Sequence, residues 1–226
     1  MADIEKILPV YKVEHDAILS MQGDITIAYE VTLPEIFTLS DRDYEAFHQI
    51  LIKAIKILPR HTILHKQDWF IEETYKADYF KADKSFLSTA SERFFHKRAF
   101  LDHRCYILLT KKPQDRRPAS SIFSNLLRRS IVPSQTIRPG LFTDFLDHAG
   151  QFERILKDSG LIGLRRLSDD ELAGTAGRPG IIEQYCFLLK ANEHSLIQDI
   201  HFKNGIRIGN KHCQLYTLAD AEDLPP

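Results

Sequence analysis

Between Gly23 and Pro34, the run Asp24–Leu33 alternates, with Ile25, Ile27, Tyr29, Val31 and Leu33 interleaved by Thr26, Ala28, Glu30 and Thr32. Successive side chains of a strand leave on opposite faces, so this spacing predicts a β-strand with one apolar face. Such a strand must bury that face against a second layer. The next segment can supply it. Ser40 is a predicted N-cap with Asp43 three residues on, and Tyr44, Phe47, Leu51, Ala54, Ile55 and Leu58 recur at helical spacing until Pro59. An extended run from His61 to about Thr74 follows.

Leu87, Ala90, Phe94 and Leu101 share a helical face, which predicts a second helix over Lys84–His103. Arg104–Lys112, with Cys105, Tyr106, Ile107, Leu108 and Leu109 in sequence, predicts a strand buried on both faces. The first half therefore reads β-α-β-α-β. The expected fold class is α+β: a small antiparallel or mixed sheet with a ferredoxin-like core, covered by helices and carrying a helical insertion.

The chain is expected to form a single domain over 1–226. Residues 1–112 and 201–218 would form the sheet and 113–200 a loop and helical elaboration. Pro113–Gly140 holds Pro113, Pro118, Pro133 and Pro139, and is predicted to be an interaction loop with a short helix near Ile122–Arg129. Leu141–Ser159 predicts a helix, and Ser168 a cap for another. Gly174–Gly180 reads as a flexible linker. Ile181–Leu189 fits a strand or a buried helix equally well. Asn204-Gly205 predicts a turn among short strands covering Ile200–Lys203, Ile206–Ile208 and His212–Leu218.

Composition excludes several classes. With 30 basic and 31 acidic side chains the molecule as a whole is no polyelectrolyte partner for nucleic acid or anionic lipid. The longest run free of charged residues, Pro118–Leu127, is far shorter than the roughly 20 residues that span a bilayer. The opening residues lack an apolar stretch behind a basic tip, so no secretory leader is expected. Cys105, Cys186 and Cys213 are odd in number and widely spaced, which suits a reducing compartment rather than a disulfide framework.

Catalytic patterns are equally sparse. No glycine is followed by lysine, so the phosphate cradle of a P-loop cannot form, and no ATP binding is expected of this chain. His61 and His65 would share a face only in a helix, whereas their segment reads as strand, so no metal centre is expected. Glu72-Glu73 and Asp169-Asp170 are adjacent and point apart. No catalytic, cofactor or metal residue is assigned. The basic doublets Lys111-Lys112, Arg116-Arg117, Arg128-Arg129 and Arg165-Arg166 remain. Solvated loop charges are the plainest reading of them. Arg116, Arg117, Arg128 and Arg129 are the candidate contacts for an acidic partner surface, and a phosphate grip without interleaved aromatic platforms is the weaker alternative.

Met21-Gln-Gly-Asp-Ile-Thr-Ile-Ala-Tyr-Glu-Val, Leu39-Ser-Asp-Arg-Asp-Tyr, Leu58-Pro before Gln67-Asp-Trp-Phe, Glu92-Arg-Phe-Phe through His103-Arg-Cys-Tyr-Ile-Leu-Leu-Thr, and the closing Asn204-Gly-Ile-Arg-Ile-Gly-Asn form an ordered series. Together they resemble the TraG proteins of conjugative transposons, relatives of the type IV secretion ATPases. The resemblance runs over the whole chain and rests on order rather than on one diagnostic motif. It implies an amino-terminal domain that assembles with the conjugation apparatus at the inner membrane from the cytoplasmic side. It also implies a separate RecA-like motor domain that would hold ATP and magnesium. The expected function is therefore non-catalytic assembly or regulation in a DNA-transfer ATPase. The alternatives are a nucleic-acid-binding module using residues 111–138, or an enzyme built from dispersed His and Asp residues.

Overall fold

The computed structural model describes residues 8–78, 85–113, 139–191, 193 and 198–218. The chain divides into two compact units, one of Pro9–Ser168 and the other of Asp169–Pro226 together with Met1–Leu8.

The first unit opens with a hairpin, β1 (Val10–Glu14) and β2 (Ala17–Ser20), followed by β3 (Ile25–Thr32). His15 and Asp16 join β1 to β2 with φ of 59° and 55°, the left-handed pair that matches the twist of a two-residue hairpin. Helix α1 (Asp41–Lys56) then begins at the predicted cap. The Ser40 hydroxyl accepts from the Asp43 amide at 3.3 Å, and the Asp43 carboxylate accepts from the Ser40 amide at 2.9 Å. The Ser40 hydroxyl also donates to the Asp43 carboxylate at 2.7 Å, and this bond together with that from the Ser40 amide holds the carboxyl below its usual pKa. The unit continues with β4 (Thr62–Thr74), α2 (Phe86–Phe95), β5 (Ala99–Lys111), α3 (Pro139–Lys157) and β6 (Gly163–Arg166).

The core is α+β and ferredoxin-like in its topology. The central strands lie in the order β6-β3-β5-β4, every neighbouring pair antiparallel, with α1 and α3 as the two helices of a split β-α-β-β-α-β arrangement. The edge of β3 away from β5 is shared. Its first half pairs with β2 and its second half with β6. The alternation of β3 turns Ile25, Ile27, Tyr29 and Val31 into one buried cluster with Cys105, Ile107 and Leu109 of β5. Ala54 of α1 and Phe145, Ala149, Phe152 and Leu156 of α3 complete that cluster. Tyr29 donates its hydroxyl to the Ala149 carbonyl at 3.2 Å, and burial pushes its pKa up.

Three expectations need correction here. The helix predicted over Lys84–His103 stops at Phe95, and residues from Ala99 onward are strand. α2 buries none of its residues, so it decorates the β4–β5 connection and is not the second core helix. That role falls to α3, and β6 is the fourth strand. Residues 139–166, expected to be elaboration, thus complete the core. The segments Arg116-Arg117, Arg128-Arg129 and Ile122–Arg129 lie outside the described residues.

The second unit holds α4 (Asp169–Ala173), the paired β7 (Gly174–Thr175) and β8 (Arg178–Pro179), α5 (Ile181–Phe187), and a small sheet of β9 (Ile200–His201), β10 (Ile206–Ile208) and β11 (Lys211–Cys213). The closing strands, expected to join the main sheet, pair among themselves in the order β11-β10-β9. Gly174–Gly180, read as a linker, is a tight hairpin instead. A Cβ on Gly180 would lie 2.3 Å from both the Gly174 nitrogen and the Leu172 oxygen, so the two glycines allow the backbones to touch.

Candidate partner-contact surface

β4 and β5 are each 13 residues long and pair throughout, from Thr62 opposite Lys111 to Thr74 opposite Ala99. β3 covers only the Cys105–Lys111 part of β5. Residues Trp69–Thr74 and Ala99–Arg104 therefore continue past the sheet as a two-stranded ribbon of about 20 Å. The ribbon is closed at its far end by the Tyr75 amide donating to the Arg98 carbonyl at 3.0 Å and the Lys97 amide donating to the Tyr75 carbonyl at 2.9 Å. α2 sits in this connection, capped by Ser85, whose hydroxyl accepts from the Ser88 amide at 3.2 Å.

The arm is rich in exposed apolar groups. Phe86 is 87% exposed, Leu87 79%, Leu101 66% and Phe70 63%. Phe70 stacks on His103 with ring centres 4.6 Å apart and planes 7° from parallel. Phe94 meets Phe95 edge-on at 5.0 Å and carries the Arg98 guanidinium 3.6 Å above its ring. Aromatic and aliphatic groups gathered on one projecting element, flanked by Arg93, Lys97 and Arg98, have the make-up of a protein-binding surface.

At the root of the ribbon, Asp68 accepts from Lys66 and lies 2.9 Å from His103 Nε2. Burial alone would raise the Asp68 carboxyl, but the hydrogen bonds from Lys66 and His103 outweigh it and hold its pKa below the usual range. On the opposite face of the sheet Trp69 meets Tyr106 edge-on at 5.0 Å, and Arg104 pairs with Asp102 at 2.9 Å. Next to Asp68, Cys105 is 3% exposed and burial pushes its thiol up to about 11. At pH 8 only about a thousandth of it is then thiolate, the species that reacts. Iodoacetamide at pH 8 is expected to modify Cys105 last of the three cysteines, by ~100-fold or more relative to an open thiol. Mass spectrometry of the labelled peptides checks this, and rapid labelling of Cys105 would mean that the sheet opens around it.

The structure disperses the other groups singled out in the sequence. Arg165 pairs with Glu30 at 2.6 Å. Arg166 donates to the His15 and Asp16 carbonyls at 2.8 and 3.1 Å, clamping the β1–β2 turn. Lys111 donates to the Arg60 carbonyl. Two of the four basic doublets thus engage the fold itself. His65 points from strand β4, and His61 precedes that strand with φ of 62°. Among the described residues no group of three or more His, Cys, Asp or Glu is placed to hold a metal. No helix among them is long and apolar enough to cross a membrane.

Leu87, Phe94 and Leu101, which sequence periodicity places on a core-facing stripe, are exposed on the arm. The signal that marks them is density. Phe86, Leu87, Phe94, Phe95, Phe100 and Leu101 within 16 residues are more apolar bulk than a single amphipathic face needs.

A ferredoxin-like α+β domain with an apolar arm is the class of protein that this fold and surface define. A family described as "Domain of unknown function, B. Theta Gene description" (DUF3875) matches residues 1–49, and over that stretch the chain is similar to it. The matched residues carry β1, β2, β3 and the start of α1. No curated protein matches the chain.

Proposed function

We propose that this chain is a non-catalytic assembly or regulatory domain of a conjugative DNA-transfer ATPase of the TraG kind. It would act on the cytoplasmic side of the inner membrane, held there by proteins of the conjugation apparatus. ATP and magnesium would belong to a RecA-like motor domain, which is itself a candidate partner. The observation that carries this reading is the arm: apolar side chains displayed on a long ribbon and on a helix that buries none of its residues. An enzyme would concentrate converging polar groups in a cleft. Here the prominent surface is a projecting apolar one, as a docking element requires. The resemblance to TraG proteins supplies the setting.

The triple substitution Phe86→Glu, Leu87→Glu and Leu101→Glu tests the proposal. Each side chain is mostly exposed, so the melting temperature should hardly move. Loss of apolar anchors from an interface typically costs ~2 kcal/mol or more, so DNA transfer from donor cells carrying the variant should fall at least ~10-fold. Unchanged transfer by a stably folded variant would overturn the reading. So would tight binding of short DNA by the wild-type chain with a steep salt dependence, the mark of phosphate contacts.

A further inference from the structure

We infer that the outer edge of β4 pairs with the same edge of a second copy of this chain, in an antiparallel register centred on Trp69. β4 is a 13-residue strand at the end of the sheet order, well beyond the usual five or six, and among the described residues it pairs only with β5. It contains no proline or glycine, and its register with β5 runs from end to end without a bulge. Two of the common devices that blunt an edge strand, proline and bulges, are therefore absent from it. Its charged side chains could serve as a third device. Their order along the strand argues for pairing instead.

Two copies related by a two-fold axis through the sheet place residue i opposite residue j with i + j constant. Opposed residues then share a face, so the constant is even. Centring on Trp69 sets Lys66 opposite Glu72 of the second copy and Glu72 opposite its Lys66. On the other face, His65 meets Glu73 of the second copy, again twice. Directly opposed charges of unlike sign favour a register, and like charges disfavour it. A centre at 68 opposes Asp68 to Asp68, a centre at 70 opposes Asp68 to Glu72, and a centre at 66 opposes Lys66 to Lys66. A centre at 67 offers Lys66 only Asp68, a partner it already has within its own chain. Trp69 is thus the one centre among these five that sets Lys66 against a carboxylate other than Asp68 while opposing no like charges. The sheet would run continuously through both copies, with the helices of each on the same side.

The decisive experiment mixes unlabelled and 15N-labelled chains and treats them with a zero-length carbodiimide cross-linker. Lys66 and Glu72 are ~20 Å apart along one strand, too far for such a link within a chain. The expected result is a Lys66–Glu72 cross-linked peptide joining light and heavy chains. In sedimentation equilibrium, Glu72→Lys at this exposed position should weaken dimerisation about tenfold, because like charges then meet twice across the axis. Adding Lys66→Glu to it should restore the wild-type constant, with circular dichroism unchanged in both variants. A chain that stays monomeric at every concentration overturns the inference. So does a dimer indifferent to Glu72→Lys, or one whose mixed cross-links join Lys66 to Asp68 instead.

Discussion

Ile27→Ala is expected to destabilise the first unit by roughly 2–5 kcal/mol, the usual cost of truncating a fully buried aliphatic side chain. Ile27 is 0% exposed and sits opposite Leu109, also 0% exposed, in the centre of the sheet. Both belong to the cluster that Phe145, Phe152 and Leu156 bring down from α3. The hole left by the missing methyl groups would be walled by two β-strands, which collapse poorly because their hydrogen-bonded spacing is fixed. The lost transfer energy and the cavity therefore add. Trp69 is the chain's single tryptophan and lies within this unit, so its fluorescence in urea follows the unfolding of the sheet directly. A midpoint shift equivalent to less than ~0.5 kcal/mol, a typical surface value, would show that the register of β3 is wrong.

Ile27 also illustrates what could be read in the sequence. β3 and α1 were legible because their signals are local: a period of two, a period of 3.6, a capping box and two prolines as stops. The order of the sheet, by contrast, is set by pairings distant in sequence. β6 is four residues long, and Gly163-Leu-Arg-Arg carries no alternation that would mark it as a strand. It is a strand because β3 offers it a free half-edge and Leu164 drops into the core. The β1–β2 hairpin was hidden for another reason. His15 and Asp16 both take positive φ without a glycine or asparagine to announce it, and the turn is held by Arg166 from the far end of the unit.

The same distinction governs the candidate surface. Phe94 and Leu101 are seven residues apart, which places them on one face of a helix. Yet Phe100 and Leu101 lie opposite Glu73 and Glu72 of β4. A 13-residue partner strand overrides a short stretch of helical spacing, since each added cross-strand pair satisfies backbone groups that a frayed helix end would leave open. The basic doublets were legible as charge, but their roles were not. Arg165 and Arg166 are adjacent in sequence and leave β6 on opposite faces, one to Glu30 and the other to the hairpin turn.

Gly180→Ala is expected to destabilise the second unit by about 3 kcal/mol, and its sign separates two accounts of the glycine. Gly180 has φ of −73°, a conformation open to alanine. If freedom of the backbone were all that mattered, alanine would stabilise by about 0.4–1 kcal/mol through restricting the unfolded chain. The neighbouring atoms argue the reverse. An added Cβ would stand 2.3 Å from the Gly174 nitrogen and the Leu172 oxygen and 2.6 Å from the Ala173 carbonyl carbon, all backbone atoms that cannot rotate aside. Relief requires the β7–β8 hairpin to part from the start of α5, where the Gln184 amide donates to the Gly180 carbonyl at 2.9 Å and its side chain donates to the Pro179 carbonyl at 2.9 Å. Overpacking of this kind costs about 1–3 kcal/mol even where side chains can adjust, and here the contact is backbone against backbone. Amide exchange in Ile181–Phe187 measures the outcome locally: faster exchange is expected in the alanine variant. Slower exchange would mean that the two glycine backbones do not touch and that the segment is the linker its composition suggests.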